Sequence, residues 1–309
     1  MVIQCPQCKT RFRIKPKLLE NPETRLRCSS CQYIFTLKQS NLVAPNTEKL
    51  TRQMSLVGRT ITFCNQKGGV AKTTSCLNIG LALSKMGKRV LCIDFDPQAN
   101  LSLLAGHTVN TSGSFYDAIT STNKDLMEYI LKLPIGLWLL PSNQRMNSFP
   151  KYALQVKDSE KLLLKTLVSI RNQFDFILID TPPSLKFFTL NAIVASDCVV
   201  ITSQCTYLAA YGVEQISRII NAIRSRTGKP KEPKLLLTLY NENSTAMQAV
   251  MRTLVQQHAE SLLSPVIPLD EAIQEAQILR KTVFDYAPES AAVQAYLAIA
   301  KILSAEHCQ

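Results

Sequence analysis

Long apolar runs are missing from this sequence. No stretch approaches the roughly 18 uninterrupted apolar residues of a membrane-spanning helix. The N-terminal residues MVIQCPQCKTRF contain no apolar run of the kind found in a signal peptide. Internal repeats and low-complexity tracts are also absent. These absences exclude a membrane-spanning protein, and we expect a soluble cytoplasmic one.

Histidine is scarce, and His107, His258 and His307 show no spacing typical of a metal or catalytic site. Acidic residues are too few to balance the basic ones, and the formal net charge is +12. Residues 1–59 hold 11 Lys or Arg against 3 Glu, whereas residues 60–309 hold 24 against 20. A basic block can be no more than a solvated surface, but this concentration raises the expectation of a nucleic-acid partner.

The ten cysteines do not indicate a disulfide framework. Four of them form two Cys-x2-Cys pairs, and five lie in apolar segments, namely Cys64, Cys76, Cys92, Cys198 and Cys205. Scattered cysteines of the buried type together with paired Cys-x2-Cys motifs are typical of a reducing compartment and of a metal site.

The length of 309 residues suits one large α/β core with a small appendage. We predict an N-terminal unit over 1–37, a linker over 38–58 and a large domain over 59–309. Seven apolar segments of the large domain are predicted strands, at 60–65, 89–96, 137–142, 174–180, 197–204, 234–240 and 265–270. Predicted helices alternate with them, at 73–86, 158–172, 212–226, 244–262 and 289–304. This alternation predicts an α/β fold whose mostly parallel sheet is covered by helices on both faces.

The segment NQKGGVAKTT at 65–74 follows a predicted strand and opens a predicted helix. This is the context of a phosphate-binding loop, where free backbone N–H groups and the helix dipole meet an anion. The segment departs from the strict pattern, because Gln66 and Ala71 stand where both glycines belong. Gly68 and Gly69 would still permit close approach of the backbone to a phosphate.

Charged residues around this loop complete the expected site. Lys72 can reach the terminal phosphates and the Thr73 hydroxyl can ligate Mg²⁺. Asp180 ends a predicted strand and is expected to hold the water shell of the magnesium, while Asp94 and Asp96 end another strand, where a carboxylate could orient an attacking water. Acidic strand ends of a parallel sheet gather at its carboxyl edge, where ligands of open α/β folds bind.

The motifs KGGVAKTT, VLCIDFDPQANLS, FDFILIDTPPSL, IPLDEAIQEA and DYAPESAAVQAY occur in the order seen in the ParA/Soj family of partition ATPases. The chain resembles this family over roughly residues 59–305, about four-fifths of its length. The family carries a deviant Walker A motif in which Lys67 is the added signature residue. The resemblance therefore implies a working nucleotide site despite the missing glycines.

The resemblance implies that Lys67 crosses to the phosphates of a partner subunit in an ATP-bound homodimer, as an arginine finger does in trans. It assigns water positioning to Asp96 and support of the metal to Asp94 and Asp180. The phosphate loop is formed by Lys67, Gly68, Gly69, Val70, Ala71, Lys72, Thr73 and Thr74. Ala71 replaces the commoner glycine, which is tolerable at negative φ and costly at positive φ.

Two other branches of the superfamily fit less well. Membrane-binding cell-division members end in a basic amphipathic helix, whereas the last fifteen residues here carry only Lys301 as Lys or Arg. Iron–sulfur reductases need cysteines at a shared dimer axis, and we expect Cys198 and Cys205 to be core residues instead.

The N-terminal unit has the spacing of a two-knuckle zinc site, formed by Cys5, Cys8, Cys28 and Cys31. So short a unit needs a metal for much of its folding energy. A redox-active pair is the alternative. The local pattern resembles small bacterial zinc ribbons, with Phe12 and Phe35 as expected packing residues. The ribbon is either a docking module or a contact to DNA phosphates through Arg11, Arg13, Lys15, Lys17, Arg25 and Arg27.

A second basic run marks the candidate DNA-binding surface of the large domain. It comprises Arg218, Arg224, Arg226, Lys229, Lys231 and Lys234, joined by Arg252, Arg280 and Lys281. Nonspecific DNA binding by the dimer is what the family resemblance implies. Family members often have two arginines in IPRNVRxxEA, and IPLDEAIQEA lacks both.

The resulting hypothesis is an ATP-driven dimerisation switch that binds DNA in the ATP state and segregates a chromosome or plasmid on the nucleoid. A stimulating partner, a ParB-like centromere-binding protein or a cargo adaptor, would reset it. One alternative is the same ATPase positioning a chemosensory, flagellar or polysaccharide assembly. Another is a zinc-dependent DNA-binding regulator that only senses ATP.

Overall fold

The structure is a computed structural model that describes residues 2–13, 25–36, 41–43, 58–108, 113–121, 125–230 and 233–306. Its contacts divide the chain into two units, Met1–Leu56 and Val57–Gln309. Among the helices of the described residues, none combines the length and the apolar character that a membrane crossing requires.

The N-terminal unit contains five short strands, β1 (Val2–Gln4), β2 (Arg11–Arg13), β3 (Arg25–Arg27), β4 (Ile34–Thr36) and β5 (Asn41–Val43). β1 pairs antiparallel with β2 on one side and with β5 on the other, and β3 pairs antiparallel with β4. The segment 38–58, predicted as a linker, thus contains a strand of this unit. Three residues are too few for a strand period to be visible in the sequence.

The C-terminal unit is built on a seven-stranded sheet. Its strands are β6 (Arg59–Cys64), β7 (Val90–Asp94), β8 (Leu131–Lys132), β9 (Trp138–Leu140), β10 (Phe176–Asp180), β11 (Cys198–Gln204) and β12 (Lys234–Thr238). Their spatial order is β12-β11-β6-β10-β7-β9-β8, and only β8 runs antiparallel to its neighbour. The carboxyl edge is where the parallel strands end, and the amino edge is where they begin. Strand order that departs from sequence order requires helical crossovers on the faces.

Eleven α-helices of the described residues surround this sheet. They are α1 (Lys72–Lys85), α2 (Asn100–Leu104), α3 (Phe115–Thr120), α4 (Phe149–Ala153), α5 (Leu162–Leu167), α6 (Phe187–Ala195), α7 (Tyr207–Thr227), α8 (Thr245–His258), α9 (Glu271–Ile278), α10 (Val283–Tyr286) and α11 (Ala291–Ala305). Short 3₁₀ segments cover Leu126–Tyr129, Gln144–Ser148, Ser159–Lys161 and Arg171–Gln173.

Alternate strand residues face opposite helical layers, as the period of two in a strand requires. Val90 and Cys92 of β7 pack in one cluster with α1, α9, α10 and α11. Leu91 and Ile93 pack in another with α3 to α6. The side of the sheet near β11 and β12 is covered by α7 and α8. The predicted α/β fold with helices on both faces is confirmed.

One predicted strand, at 265–270, is wrong. The segment bonds to the outer side of β12 only through single bridges, such as Tyr240 with Pro268 and Ile267 N–H to the Leu237 carbonyl at 2.8 Å. Pro265 and Pro268 have no N–H to donate, so a continuous ladder cannot form. The helix predicted at 158–172 is likewise broken into two 3₁₀ segments and the short α5.

Candidate nucleotide-binding and zinc sites

Side chains from β11, from β12 and from the loop itself hold the loop between β6 and α1. Asn65 donates from Nδ2 to the Thr202 carbonyl at 2.6 Å and accepts the Lys67 N–H at 2.9 Å. Gln204 donates to the Gly69 carbonyl and Thr238 to the Val70 carbonyl, each at 3.1 Å. Sequence reasoning missed Asn65, Gln204 and Thr238 because their partners are backbone carbonyls, which carry no sequence signal.

The tip of the loop faces open space. Residues 66–69 are exposed, and a methyl group built on Gly68 or Gly69 would meet no atom within 4 Å. Gly69 has a φ of 70°, in the left-handed region that glycine occupies without strain. The backbone at this tip is therefore accessible to an anion.

Ala71 lies immediately before α1 with φ 53° and ψ 33°. This is the left-handed region, so the costly alternative expected for an alanine at this position is the one that occurs. A left-handed conformation costs a residue with a Cβ roughly 1–2 kcal/mol. Because Ala71 belongs to the phosphate loop, this strain is stored at the site rather than in the core.

Lys72 is the first residue of α1 and only 7% exposed. Its Nζ donates to the Lys67 carbonyl at 2.9 Å. Burial lowers the pKa of Lys72, while the nearby Asp180 opposes that shift. Hydrogen bonds from an ammonium group are stronger to an anion than to a neutral carbonyl. Lys72 can therefore exchange the Lys67 carbonyl for a phosphate oxygen.

Asp180 and Asp94 end two paired strands and lie directly opposite each other in the register. The Thr73 hydroxyl donates to Asp180 Oδ2 at 2.7 Å, and Asp180 Oδ1 is buried with no hydrogen-bond partner among the described residues. Burial, and next the Asp94 carboxylate, raise the pKa of Asp180 well above its usual value. An orphaned carboxylate oxygen beside a hydroxyl is the donor set that a hard cation prefers.

Asp96 is 5% exposed and lines a cavity at the carboxyl edge of the sheet, and its Oδ1 accepts the Gln98 N–H at 2.9 Å. Burial raises its pKa. Asp94 is fully buried, and burial raises its pKa to about 7. Its oxygens accept hydrogen bonds from Asp96 and Ser102, and it does not line the cavity.

The cavity at the carboxyl edge has a volume of about 560 Å³, and Asp180, like Asp94, is not part of its wall. Its walls include Gly68, Gly69, Ala71, Lys72, Thr73, Thr74 and Asp96 from the predicted site. Sequence reasoning missed most of the remaining wall, which includes Gln98, Asn100, Thr181, Leu239, Asp270 and Tyr296. All of these except Leu239 lie within the motifs quoted above, so the motifs are the signal that could have found them.

The four cysteines of the N-terminal unit gather as predicted. The sulfurs of Cys5, Cys8, Cys28 and Cys31 lie within 4.8 Å of one another. Cys5 and Cys31 are 3.7 Å apart and Cys8 and Cys28 are 3.5 Å apart. Tetrahedral zinc with Zn–S bonds near 2.3 Å requires S–S distances of about 3.8 Å, so the set fits zinc.

The two cysteine pairs sit in equivalent turns. The Cys5 carbonyl accepts the Lys9 N–H and the Cys28 carbonyl accepts the Gln32 N–H, each at 3.0 Å. Lys9 and Gln32 both have a φ of 60°. Phe35 is buried against the cysteines, as predicted, whereas the side chain of Phe12 lies outside the described residues.

Two lysines of the basic run in the C-terminal unit, Lys229 and Lys234, are engaged in ion pairs at the amino edge. Lys229 Nζ lies 2.6 Å from Asp197 Oδ1, and Arg171 binds the other oxygen of that carboxylate. Lys234 and Arg59 each lie 2.9 Å from a carboxylate oxygen of Glu306. Each of these two carboxylates therefore pairs with two cations inside the unit.

The other predicted DNA-binding residues stand elsewhere on the surface. Arg218 pairs with Glu214 one turn earlier at 2.5 Å, and Arg224 and Arg226 lie in the last turn of α7. Arg252 lies at an exposed position on α8, and Arg280 and Lys281 lie at exposed positions after α9. Lys231 lies outside the described residues, as do Lys15, Lys17 and the side chains of Arg11 and Arg13.

A parallel sheet with a phosphate loop after its first strand and acidic strand ends at its carboxyl edge defines a P-loop nucleotide-binding α/β protein. The family models agree. One described as an AAA domain matches residues 58–233, and one described as a zinc-ribbon domain matches residues 1–36. A third, described as 4Fe-4S iron sulfur cluster binding proteins of the NifH/frxC family, matches residues 159–308.

The chain belongs to the ParA/Soj family of partition-type ATPases and carries a zinc ribbon at its N-terminus. It is 32% identical over 249 residues to the chromosome partitioning protein ParA of Caulobacter vibrioides, covering 79% of this chain and 92% of that one. It is 30% identical over 252 residues to the sporulation initiation inhibitor protein Soj of Bacillus subtilis, covering 81% and 99%.

Solved structures share the fold. Cobyrinic acid a,c-diamide synthase from Mycobacterium smegmatis, with bound ATP analog and magnesium, is 31% identical at a TM-score of 0.68 and covers 80% of this chain and 94% of that one. The match to the iron–sulfur model does not extend to a cluster site in the described residues. Cys198 and Cys205 are buried in different core clusters, as expected of core residues.

Proposed function

We propose that this ATPase is an ATP-driven dimerisation switch that binds DNA in its ATP state and serves chromosome or plasmid partition on the nucleoid. The observation that carries the proposal is the contrast between two lysines of one loop. Lys72 lines the cavity, whereas Lys67 is exposed and is not part of its wall. A lysine of the loop that is exposed and lies outside the wall of its own cavity is available to the cavity of a second copy.

The cavity fits ATP and magnesium. The exposed loop backbone and Lys72 would hold the phosphates, and the Thr73 hydroxyl and the orphaned Asp180 oxygen would hold the metal. Bound Mg²⁺ supplies neutralisation of phosphate charge. Asp96 has a carboxylate at the cavity wall and is the residue we assign to positioning the attacking water.

ATP, but not ADP, should convert the monomer to a dimer in light scattering. Lys67→Ala should bind a fluorescent ATP analogue with unchanged affinity yet neither dimerise nor hydrolyse, because only the trans contact is lost. Lys151→Ala removes an equally exposed lysine on α4 and should behave as wild type. Normal turnover of Lys67→Ala would exclude the trans role.

Asp96→Ala should have the opposite phenotype and accumulate as the ATP dimer. The phosphate contacts from the loop remain, while the group that positions water is gone. A variant that fails to dimerise would show that Asp96 acts in binding rather than in hydrolysis.

We place the DNA-contacting surface at the end of α7, where Arg224 and Arg226 bring two positive charges together in the last turn of the helix. Contacts to phosphates are independent of sequence and steeply dependent on salt. A two-fold dimer doubles this footprint, so the ATP state should bind and the monomer should bind poorly.

The test is the double variant Arg224→Glu/Arg226→Glu, measured by fluorescence anisotropy with several DNA sequences. Affinity should fall alike for all of them, while ATP-driven dimerisation survives. Lys151→Glu/Lys157→Glu changes net charge equally at exposed positions on another surface and is the matched control. Deleting residues 1–57 tests the zinc ribbon in the same assay, and a loss there alone would move DNA binding to the ribbon.

We further propose that the four cysteines hold one zinc ion per chain. Metal analysis of the full-length protein should find about one zinc, and Cys28→Ser should lose it while the ATPase activity is retained, because the ATPase core buries its own apolar surface. A zinc-free wild type with paired, disulfide-bonded cysteines would support the redox alternative.

A further inference from the structure

A short segment between β7 and α2 supplies polar groups to the nucleotide cavity. Asp96, Gln98 and Asn100 alternate along it, and all three line the cavity wall. The segment begins two residues after the end of β7 and runs into the first turns of α2, which ends at Leu104. What holds this segment in place therefore decides where these three side chains stand.

A single buried carboxylate binds both ends of the segment. Asp94 Oδ1 accepts the backbone N–H of Asp96 at 3.2 Å. Asp94 Oδ2 accepts the backbone N–H of Ser102 at 2.8 Å and the Ser102 hydroxyl at 2.7 Å. Both oxygens are thus occupied by N–H and O–H donors, and the side chain is completely buried.

Ser102 extends this contact across the sheet. Its hydroxyl oxygen also accepts the backbone N–H of Ser142, which follows β9, at 3.1 Å. Asp94 ends β7 and Ser142 follows the neighbouring strand β9, so the far end of the segment is tied to both strands. A hydroxyl that donates and accepts at once has its orientation fixed.

The middle of the segment needs such support. Ala99 has a φ of 57° although it is not glycine. The turn is closed by Asp96, whose carboxylate accepts the Gln98 N–H and whose carbonyl accepts the Ala99 N–H, each at 2.9 Å. A left-handed alanine persists only where its surroundings determine it.

We propose that Asp94 is a positioning residue that fixes both ends of the Asp96–Ser102 segment and thereby sets the place of Asp96 in the cavity, rather than a ligand of magnesium. An oxygen already holding backbone and hydroxyl donors would have to leave them to reach a cation. The proposal rests on the proposed function, because Asp96 affects turnover only if this cavity hydrolyses ATP.

The decisive variant is Asp94→Asn, which keeps the shape but places an NH₂ group where a carboxylate oxygen accepted N–H and O–H groups. The kcat should fall about a hundredfold, since small displacements of a catalytic group cost that much. The Kd for ATP should change less than about threefold, because the 68–73 loop is untouched. The Mg²⁺ concentration giving half-maximal activity should not change.

A second readout needs no activity. Hydrogen exchange of the amides in residues 96–102 of the nucleotide-free protein should accelerate in Asp94→Asn, while the amides of β10 keep their protection. Ser102→Ala removes one of the three hydrogen bonds to Asp94 together with the bond from the Ser142 N–H, and should lower kcat by about tenfold. Ser142→Ala is the matched control, because it removes a buried hydroxyl without a partner in the described residues, and its kcat should equal that of wild type.

Two results overturn the proposal. The first is a Mg²⁺ requirement of Asp94→Asn raised more than about tenfold with kcat restored at saturating Mg²⁺, which is the behaviour of a lost metal ligand. The second is unchanged exchange over 96–102. If Asp94→Asn does not fold, the comparison of kcat between Ser102→Ala and Ser142→Ala decides instead. Equal kcat values would reject the positioning role of Asp94. If wild type does not hydrolyse ATP, the proposed function fails and the exchange measurement alone decides the role of Asp94.

Discussion

The two edges of the seven-stranded sheet carry similar residues in opposite states. At the amino edge, four cations are paired with the carboxylates of Asp197 and Glu306, and Asp197 Oδ2 also accepts the Thr60 N–H at 2.9 Å. At the carboxyl edge, Lys72 is bound to a loop carbonyl and Asp180 has an oxygen without a partner among the described residues. Charges at one edge are satisfied within the unit, and those at the other are left for a ligand.

Backbone strain shows the same contrast. Ala71 and Leu239 have a φ of 53° and line the cavity, and Ala99 with a φ of 57° lies in the segment beside it. The amino-edge residues of the ion pairs have no positive φ among the described residues. Strain and unsatisfied charge thus occur together at the functional edge, where pre-organisation outweighs stability.

Removing the carboxyl-edge cation should have the largest effect. Lys72→Met should lower kcat/KM for ATP by about a thousandfold or more, because a phosphate-binding charge is lost from a buried site. The thermal midpoint of the nucleotide-free protein should not fall, because burying this ammonium costs free energy. Lys229→Met is the matched amino-edge control and should leave kcat/KM unchanged. A large drop in the stability of Lys72→Met would show that this cation stabilises the fold, as the amino-edge cations do, and would contradict the contrast between the two edges.

Removing an amino-edge cation should affect folding and not nucleotide binding. Arg171→Met leaves a largely buried Asp197 short of a partner and should lower the free energy of unfolding by about 3 kcal/mol. Urea unfolding followed by the fluorescence of Trp138 measures this, and the Kd for ATP should stay constant. Lys165→Met breaks the exposed pair with Asp158 and should cost about 0.5 kcal/mol or less. Equal costs for the two variants would contradict a structural role for the Arg171 pair.

Relieving the strain at the carboxyl edge should stabilise the protein. Ala71→Gly is expected to raise the free energy of unfolding by about 1 kcal/mol, because glycine adopts the left-handed conformation freely. Ala249→Gly, on an exposed position of α8, should lower it by about 1 kcal/mol. Calorimetry of the two variants should show opposite signs. Loss of stability in Ala71→Gly would mean that Ala71 makes contacts worth more than its strain.

The smallest effect concerns pH at the amino edge. Burial alone raises the pKa of Glu306, but its pairs with Lys234 and Arg59 outweigh it and hold the pKa below the usual 4.5. A lowered folded-state pKa adds stability above pH 4.5 that disappears as the pH falls through the folded-state value. Wild type should therefore exceed Glu306→Gln by about 1 kcal/mol or less at neutral pH and converge with it in acid. If the difference in stability between wild type and Glu306→Gln persists in acid, it arises from packing and not from the charge of Glu306.

The sequence predicted the parallel sheet and the edge at which the site lies. The order of apolar strands and helices determines the fold, and a motif at the end of a parallel strand must lie at the carboxyl edge. Helices of five or six residues such as α2, α3 and α4 escaped prediction because they are too short to show a helical period. The start of α7 was placed at residue 212 because Tyr207, Leu208 and Tyr211 are exposed apolar residues that blur the amphipathic pattern.

The sequence alone does not show which basic residues form ion pairs within the unit. Lys229 and Lys234 were assigned to a DNA surface because they belong to a basic run. Their partners are distant along the chain. Lys229 binds Asp197, 32 residues away. Lys234 binds Glu306, which also binds Arg59, 247 residues away from it. Only the fold brings such pairs together, so a count of basic residues overestimates the charge available to a ligand.

The flanks of the sheet also limit how copies of this protein can assemble. On one flank β8 has only two residues, and on the other the outer side of β12 is bonded by the chain around Leu262 and Ile267. Open strand edges template pairing with another chain, and short or covered edges prevent it. In the part of the chain that the structure describes, a second copy therefore finds no long open strand at which to extend the sheet, and the dimer that we propose would have to form through side chains.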